Sequence, residues 1–267
     1  MNFDFSLLLV VLTVVSGFLW ALDHFCFRKS RLEEIDGVLV DNSEPVWADY
    51  ARSFFPIFLI VLLLRSFLFE PFKIPSGSMM PTLLIGDFIL VNKYEYGLRL
   101  PVLHNKFLEN KLPERGDIAV FRFPGDGHTP YIKRVIGLPG DKIRYEDKIL
   151  YINDIEISQE FIGEYEPVGS GKKLNQGTRI SLEDLFGIEH NILEHVKYPN
   201  LSSNMSTVTV PEGHYFVMGD NRDNSRDSRI WGFLPETHLM GEAFLIWMNW
   251  DWENGGIDYS RIGTRIK

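Results

Sequence analysis

Cysteine is almost missing from this chain: of its 267 residues only Cys26 carries a thiol. A lone thiol excludes an internal disulfide and a cysteine-built zinc cage. Net positive charge is missing too. Lys and Arg number 27 against 36 Asp and Glu, a formal charge of −9, so no basic stripe offers itself to a nucleic acid. No Lys or Arg precedes residue 28, and the N-terminus therefore lacks the basic flank of a cleavable signal peptide. Beyond residue 70 there is no sustained helical periodicity, and no Walker phosphate-binding pattern appears anywhere.

What is present is apolar in two blocks and alternating thereafter. Hydrophobic residues make up 45% and charged residues 24%, the balance of a globular or membrane-attached chain. Phe5 to Leu22 is uncharged and bracketed by Asp4 and Asp23, close to the length a helix needs to cross hydrocarbon. It reads as a retained anchor. A second block, 53–69, is uninterrupted from Phe54 to Leu64 and then meets Arg65, whose guanidinium can reach the headgroups from a helix end. Between the blocks lie Arg28, Lys29, Arg31 and Arg52, which by the positive-inside tendency puts this loop in the cytoplasm. Residues 1–70 are thus expected to form an anchor with two transmembrane helices, and 71–267 an extracytoplasmic domain.

After Pro71, short runs of β-branched and aromatic residues at 87–91, 117–123, 131–136, 148–152, 207–210, 214–218 and 243–247 read as strands. Turn signals such as Pro139-Gly140-Asp141 and Pro211-Glu212-Gly213 separate them. The expected fold is mainly β: an antiparallel β-sheet domain with a smaller peripheral excursion over 158–206, preceded by two transmembrane helices. Within the excursion, Ser181 followed three residues on by Asp184 predicts a short helix over 181–186. The tail carries Trp247, Trp250 and Trp252; core packing is expected first, with contact at a membrane interface as the alternative.

Three segments carry candidate chemistry. Ile74 to Asp87 holds Ser76 and Ser78 around Gly77, with Pro75 and Pro81 alongside. Alone, it reads as a turn with two solvated serines, placed near the bilayer because it follows the second block closely. Tyr131 to Ile136 alternates so that Lys133 shares a face with Tyr131 and Val135. A lysine can take a proton from a serine only if it is neutral near pH 7, and burial among apolar groups is the usual route to that state. The alternative is a strand-edge lysine that reaches water. Gly219 to Pro235 interleaves Asp220, Asp223 and Asp227 with Arg222, Arg226 and Arg229. Its spacing does not fit an EF-hand, and an ion-paired loop able to orient a neighbouring lysine is the simpler reading. Two further patterns are set aside. Ser170 to Lys173 has the S-x-x-K spacing but no helical run behind it. His190 to His195 is one residue too long for H-x-x-E-H, and its histidines read as surface residues.

In this order behind two anchors, the segments resemble the signature boxes of bacterial type I signal peptidases, which are Ser–Lys dyad serine proteases. The resemblance lies in Pro75-Ser-Gly-Ser-Met-Met-Pro-Thr82, in Tyr131-Ile-Lys-Arg-Val-Ile-Gly-Leu-Pro-Gly-Asp141, and in Gly219 to Pro235. The strand at Arg115 to Phe121 adds to it. It covers roughly 71–97, 115–141 and 211–248. It implies that Ser78 is the nucleophile and Lys133 its general base, with Ser76 and the backbone N–H of Ser78 forming the oxyanion hole. It further implies that Ser225 hydrogen-bonds the lysine, that Asp227 and Arg229 support that region, and that Asp220 and Arg134 form a structural ion pair. No metal or organic cofactor is implied. The implied partners are secretory preproteins with small residues before the cut and the lipid bilayer, with no nucleic acid. The implied location is the bacterial cytoplasmic membrane, multi-pass, with the catalytic domain on the outer, periplasmic side. Two readings compete with it: a self-cleaving repressor relative, which the two N-terminal spans disfavour, and an anchored, non-catalytic β-domain that scaffolds exported proteins.

Overall fold

The computed structural model describes residues 5–35, 38–41, 44–99, 106–196, 204–252 and 255–266. The end of the excursion, at 197–203, lies outside the described residues. Two compact units divide the chain, one comprising 1–69 with 98–108 and the other 70–97 with 109–267.

In the first unit, the Leu- and Val-rich run forms α1 (Phe5–Leu22), which continues in irregular helical turns to Ser30. A hairpin of β1 (Leu32–Ile35) and β2 (Val38–Asp41) follows. Helix α2 (Val46–Leu63) begins directly after Pro45, earlier than the apolar run suggests, so Asp49 and Arg52 are helical. An acid in the first turn complements the helix dipole. A wide turn over Leu64–Leu68 then leads into strand β3 (Phe69–Lys73), so the 53–69 block is not one straight helix. The two helices pack through Trp20 stacked on Phe55, with ring centroids 5.6 Å apart. Gly17 lies against the Phe55 ring and has no room for a β-carbon. The stretches Phe5–Ser30 and Val46–Leu68 are each long and apolar enough to cross a membrane, and their side chains are mostly exposed.

The second unit is built of antiparallel strands. They are β4 (Asp87–Asn92), then β7 (Ile118–Arg122), β8 (Pro130–Gly137), β9 (Lys142–Glu146) and β10 (Ile149–Ile152). The pair β5 (Leu98–Arg99) and β6 (Lys106–Leu108) falls within the first unit. Strands β11 (Ile155–Glu156), β12 (Ser158–Glu164), β13 (Thr178–Asp184), β14 (Glu189–His195), β15 (Met205–Thr209) and β16 (His214–Met218) come next. A one-turn helix α3 (Ser228–Trp231) precedes β17 (Leu234–Pro235), β18 (Leu239–Asn249) and β19 (Thr264–Arg265). The main sheet runs β17-β16-β8-β7-β18-β4-β3, with β19 added to β18. A second sheet runs β11-β10-β9-β15 and a third β12-β13-β14. Period-two alternation places Val91, Ile118, Val120, Ala243 and Ile246 in one buried cluster and Ile136, Ile143, Tyr145 and Phe216 in another.

The helix expected over 181–186 is a strand instead. Residues 178–184 pair with β12 on one side and β14 on the other, and alternation buries Ser181 and Glu183. Partners on both edges satisfy the backbone groups, and this overrides the local cap-like spacing of Ser181 and Asp184. The tryptophans also depart from core packing: Trp247 and Trp250 are exposed, and Trp252 is 78% exposed.

Asp87, at the start of β4, shows how the sheet is tied to the segment before it. Its fully buried carboxylate accepts the Leu84 N–H at 2.7 Å, Asn249 Nδ2 at 2.8 Å, and Arg261 through Nε at 2.8 Å and Nη2 at 2.5 Å. Removing one partner of such a pair costs about 3–5 kcal/mol. Asp87→Ala is therefore expected to lower the unfolding free energy of the full chain by about 3 kcal/mol in denaturant titration.

Candidate active site

Ser78 and Lys133, 55 residues apart in sequence, meet in the second unit. Lys133 Nζ lies 2.8 Å from Ser78 Oγ and 2.6 Å from the Ile132 carbonyl oxygen. The serine loop reaches this position because Met79 and Met80 are fully buried on its far side, leaving Ser78 at the edge of the core. Ser76 Oγ is 3.5 Å from Ser78 Oγ. Among the described residues, no backbone carbonyl takes the Ser78 N–H.

Lys133 sits on the inward face of β8, 3% exposed, with its amine 5.6 Å from the centroid of the Tyr131 ring. Burial lowers its pKa from the ordinary 10.5 to about 8. The carboxylates of Asp227 and Asp220 pull it partly back up, and Arg229 pushes it down. A medium that does not solvate an ammonium favours the neutral amine.

The late loop supplies this balanced field. Arg134, fully buried next to Lys133, grips Asp220 through Nε at 2.9 Å and Nη2 at 2.8 Å, while its Nη1 donates to the Gly116 carbonyl at 2.8 Å. Thr82 Oγ1 donates to the same carboxylate at 2.5 Å. Burial alone would raise the Asp220 carboxyl, but Arg134 holds it below the usual range. Asp227 behaves alike. Burial pushes it up, and Arg229, at 2.8 and 2.7 Å, brings it below the ordinary value with help from the Gly219 N–H at 3.0 Å. Asp223 takes Lys148 Nζ at 2.6 Å. The three acids thus each hold a separate cation, but only Arg229 comes from the loop itself. Gly219 must be glycine, because a β-carbon there would collide with the Ser78 carbonyl and with Ser225 Oγ. Ser225 is buried beside them, but its hydroxyl makes no hydrogen bond to Lys133.

Sequence reasoning missed a layer behind these groups. Glu183 of β13 is fully buried and paired bidentately with Arg222, Nη1 lying 2.8 Å from Oε2 and Nη2 bonding Oε1. His190 of β14, expected at the surface, is buried with Nε2 3.3 Å from Glu183 and 4.0 Å from Asp220. It is buried because it fills the space between two ion pairs. The signal was faint: period-two alternation through 178–184 places Glu183 inward only once that segment is read as a strand. Ser170, by contrast, lies in a single turn and bonds Asp251, far from any S-x-x-K helix start.

A hydroxyl 2.8 Å from a buried amine of lowered pKa can be deprotonated by it, and that is the equipment of a nucleophile and base. The sequence profile of the family described as signal peptidase, peptidase S26, matches residues 47–250. The signal peptidase I of Pseudomonas fluorescens is 44% identical over 275 aligned residues, covering 94% of each chain. That of Pseudomonas aeruginosa is 42% identical over 289, covering 99% of each. A crystal structure of a signal peptidase I from Enterococcus faecalis V583 is 32% identical, covers 49% of this chain and 97% of its own, and superposes with a TM-score of 0.30. The family match and the two Pseudomonas relatives define a serine endopeptidase, and the two apolar N-terminal helices fit attachment to a membrane. The chain belongs to the signal peptidase family, peptidase S26.

A lysine buried away from water should weaken the fold while its amine is charged. Between about 8 and 10.5 the unfolded chain binds the proton that the folded chain has lost, so stability rises with pH across that window. Lys133→Met removes the burden of the charge. The variant is expected to melt higher than the parent at pH 7, with the gap closing as pH rises from about 8 toward 10.5. Thermal unfolding at a series of pH values reads this directly.

Proposed function

We propose that this peptidase removes signal peptides from exported preproteins, with Ser78 as nucleophile and Lys133 as general base. The observation that carries the reading is the 2.8 Å contact between the serine hydroxyl and a buried amine whose pKa is near 8. With that value about one molecule in ten holds a neutral amine at pH 7. In this form the hydroxyl donates along the same line, and the amine takes the proton as Oγ attacks the scissile carbonyl carbon. The ammonium then returns the proton to the departing amine, and water releases the acyl group by the same exchange. The oxyanion is received by the Ser78 N–H and the Ser76 hydroxyl, two donors adjacent to Oγ. Asp220 with Arg134 and Asp227 with Arg229 keep the lysine's surroundings near neutral, so that burial governs its proton. Ser225, packed against Gly219, walls the same space.

Substrate docking finds a ready edge. Strand β8 pairs with β7 from Pro130 onward but with β16 only from Arg134 onward. Pro130 to Lys133 therefore have an open side on which an extended peptide can add as a strand, its scissile carbonyl carried toward Ser78. The half-buried Ile132, next to Lys133 on this edge, presents a branched side chain, which favours small residues before the cut.

In this reading α1 and α2 both cross the bacterial cytoplasmic membrane. The Arg28–Arg31 side faces the cytoplasm and the β-rich unit faces the periplasm. A preprotein whose own apolar segment still lies in the bilayer then presents its cleavage site at the same surface. The exposed indoles of Trp250 and Trp252 suit a headgroup environment.

The test is cleavage of a purified preprotein by the full chain in detergent. Ser78→Ala and Lys133→Ala are each expected to lose at least about a thousandfold in rate while remaining folded. Ser76→Ala should lose about 10²-fold, the usual effect of removing one oxyanion donor. Cleavage by Lys133→Ala at the parental rate would overturn the base assignment.

A further inference from the structure

The segment 169–175 belongs to none of the three boxes, yet it is built into the back of the serine loop. Asn175 at its end is fully buried. Its Nδ2 donates to Met80 Sδ at 3.2 Å and to the Gly171 carbonyl at 3.1 Å. Its Oδ1 accepts from Asn221 Nδ2 at 2.7 Å and from Asn224 Nδ2 at 3.3 Å. Asn221 in turn faces the nucleophile. Its Nδ2 donates to the Gly77 carbonyl at 2.9 Å, and its backbone N–H donates to the Ser78 carbonyl at 3.1 Å. Met80 fills the gap between the two loops, its sulfur lying against both Gly77 and Gly171. The far end of the segment is tied to the end of the main sheet, where Asp251 accepts the Ser170 N–H at 2.7 Å and its hydroxyl at 2.5 Å.

Peptide planarity gives this chain of contacts a consequence. The Gly77 carbonyl and the Ser78 N–H belong to one rigid, trans peptide unit and point in opposite directions. Holding the carbonyl from behind, by Asn221 Nδ2 and by the Met80 N–H at 3.2 Å, therefore aims the N–H forward, toward the substrate side of Ser78. The Asn221 side chain can hold it only if its own amide is oriented: Asn175 Oδ1 accepts its Nδ2 at 2.7 Å, and Asn224 Nδ2 donates more weakly to its Oδ1 at 3.3 Å.

We propose that Asn175 is a positioning residue for catalysis. Through Asn221 it fixes the plane of the Gly77–Ser78 peptide and so aims the Ser78 N–H at the developing oxyanion. This rests on the reading of Ser78 as nucleophile. It gives the 158–206 excursion a role in the reaction. Because Asn175 touches neither Lys133 nor the substrate edge of β8, its removal should leave the proton chemistry and binding alone and lower the rate of the chemical step.

The experiment compares the full-length parent, Asn175→Ala, Asn221→Ala and the double variant, in detergent, cleaving one purified preprotein with alanine before the cut. Asn175→Ala is expected to lose about tenfold to a hundredfold in kcat, part of what losing an oxyanion donor outright removes. Its KM should stay within about twofold, and the pH at half-maximal kcat should not move. Asn221→Ala should lose at least as much, and the double variant no more than Asn221→Ala, because the two act in series. Asn175→Ser, which keeps a smaller acceptor, should recover part of the rate, and it serves if the alanine variant does not fold. A parental kcat in folded Asn175→Ala, losses that multiply in the double variant, or a shifted pH midpoint would each overturn the proposal. Ser78→Ala separates the two levels. If it still cleaves, the nucleophile reading fails and takes this proposal with it. If it is inert while Asn175→Ala is fully active, only the positioning role fails.

Discussion

The structure of the β-rich unit depends on one uncomfortable burial, the lysine amine held in apolar surroundings against a serine hydroxyl. An ammonium taken out of water loses solvation that a single hydroxyl and a single carbonyl cannot replace. The amine answers by giving up its proton at lower pH than a free lysine. Everything around it is consistent with protecting that shift. The sheet presents the side chain inward from β8, Tyr131 and Val135 flank it on the same face, and Met79 and Met80 fill the far side of the loop that brings Ser78 within 2.8 Å.

Protection is needed because the site is also crowded with charge. Three carboxylates and three guanidiniums lie buried behind Ser78 and Lys133, as Asp220 with Arg134, Asp227 with Arg229, and Glu183 with Arg222. An unpaired carboxylate at this distance would hold the lysine protonated. Pairing each acid with its own arginine cancels most of that pull and ties elements remote in sequence into one frame. The acid of the third pair, Glu183, comes from the excursion, so the part of the chain with the least conspicuous sequence supplies part of the site's rear wall.

Much of this is legible in the residues themselves. The seven strands read from alternation between 87 and 247 are all strands, because one-face burial writes a period of two into the residues. The inward direction of Lys133 follows from the same period. Local pattern fails where tertiary partners outweigh it. Residues 181–186 carry helix-like spacing, but 181–184 are claimed by strands on both edges, and His190 looks like a surface histidine until Glu183 and Asp220 close around it. The assignment of roles to Ser76, Ser78 and Lys133 came from likeness to a family and not from the residues alone. Asn175 has no local signal at all: an asparagine in a polar, glycine-rich stretch acquires meaning only through contacts 46 and 95 residues distant in sequence.

In the proposed reaction the amine beside Ser78 is a base because it is buried. The most direct measurement is titration of Lys133 itself in the full chain, followed by the NMR shift of its isotopically labelled side chain and assigned with Lys133→Met. A midpoint near 8 is expected. A midpoint near the ordinary 10.5 would mean that the lysine is an ammonium throughout the working range, and the proposed base would be contradicted.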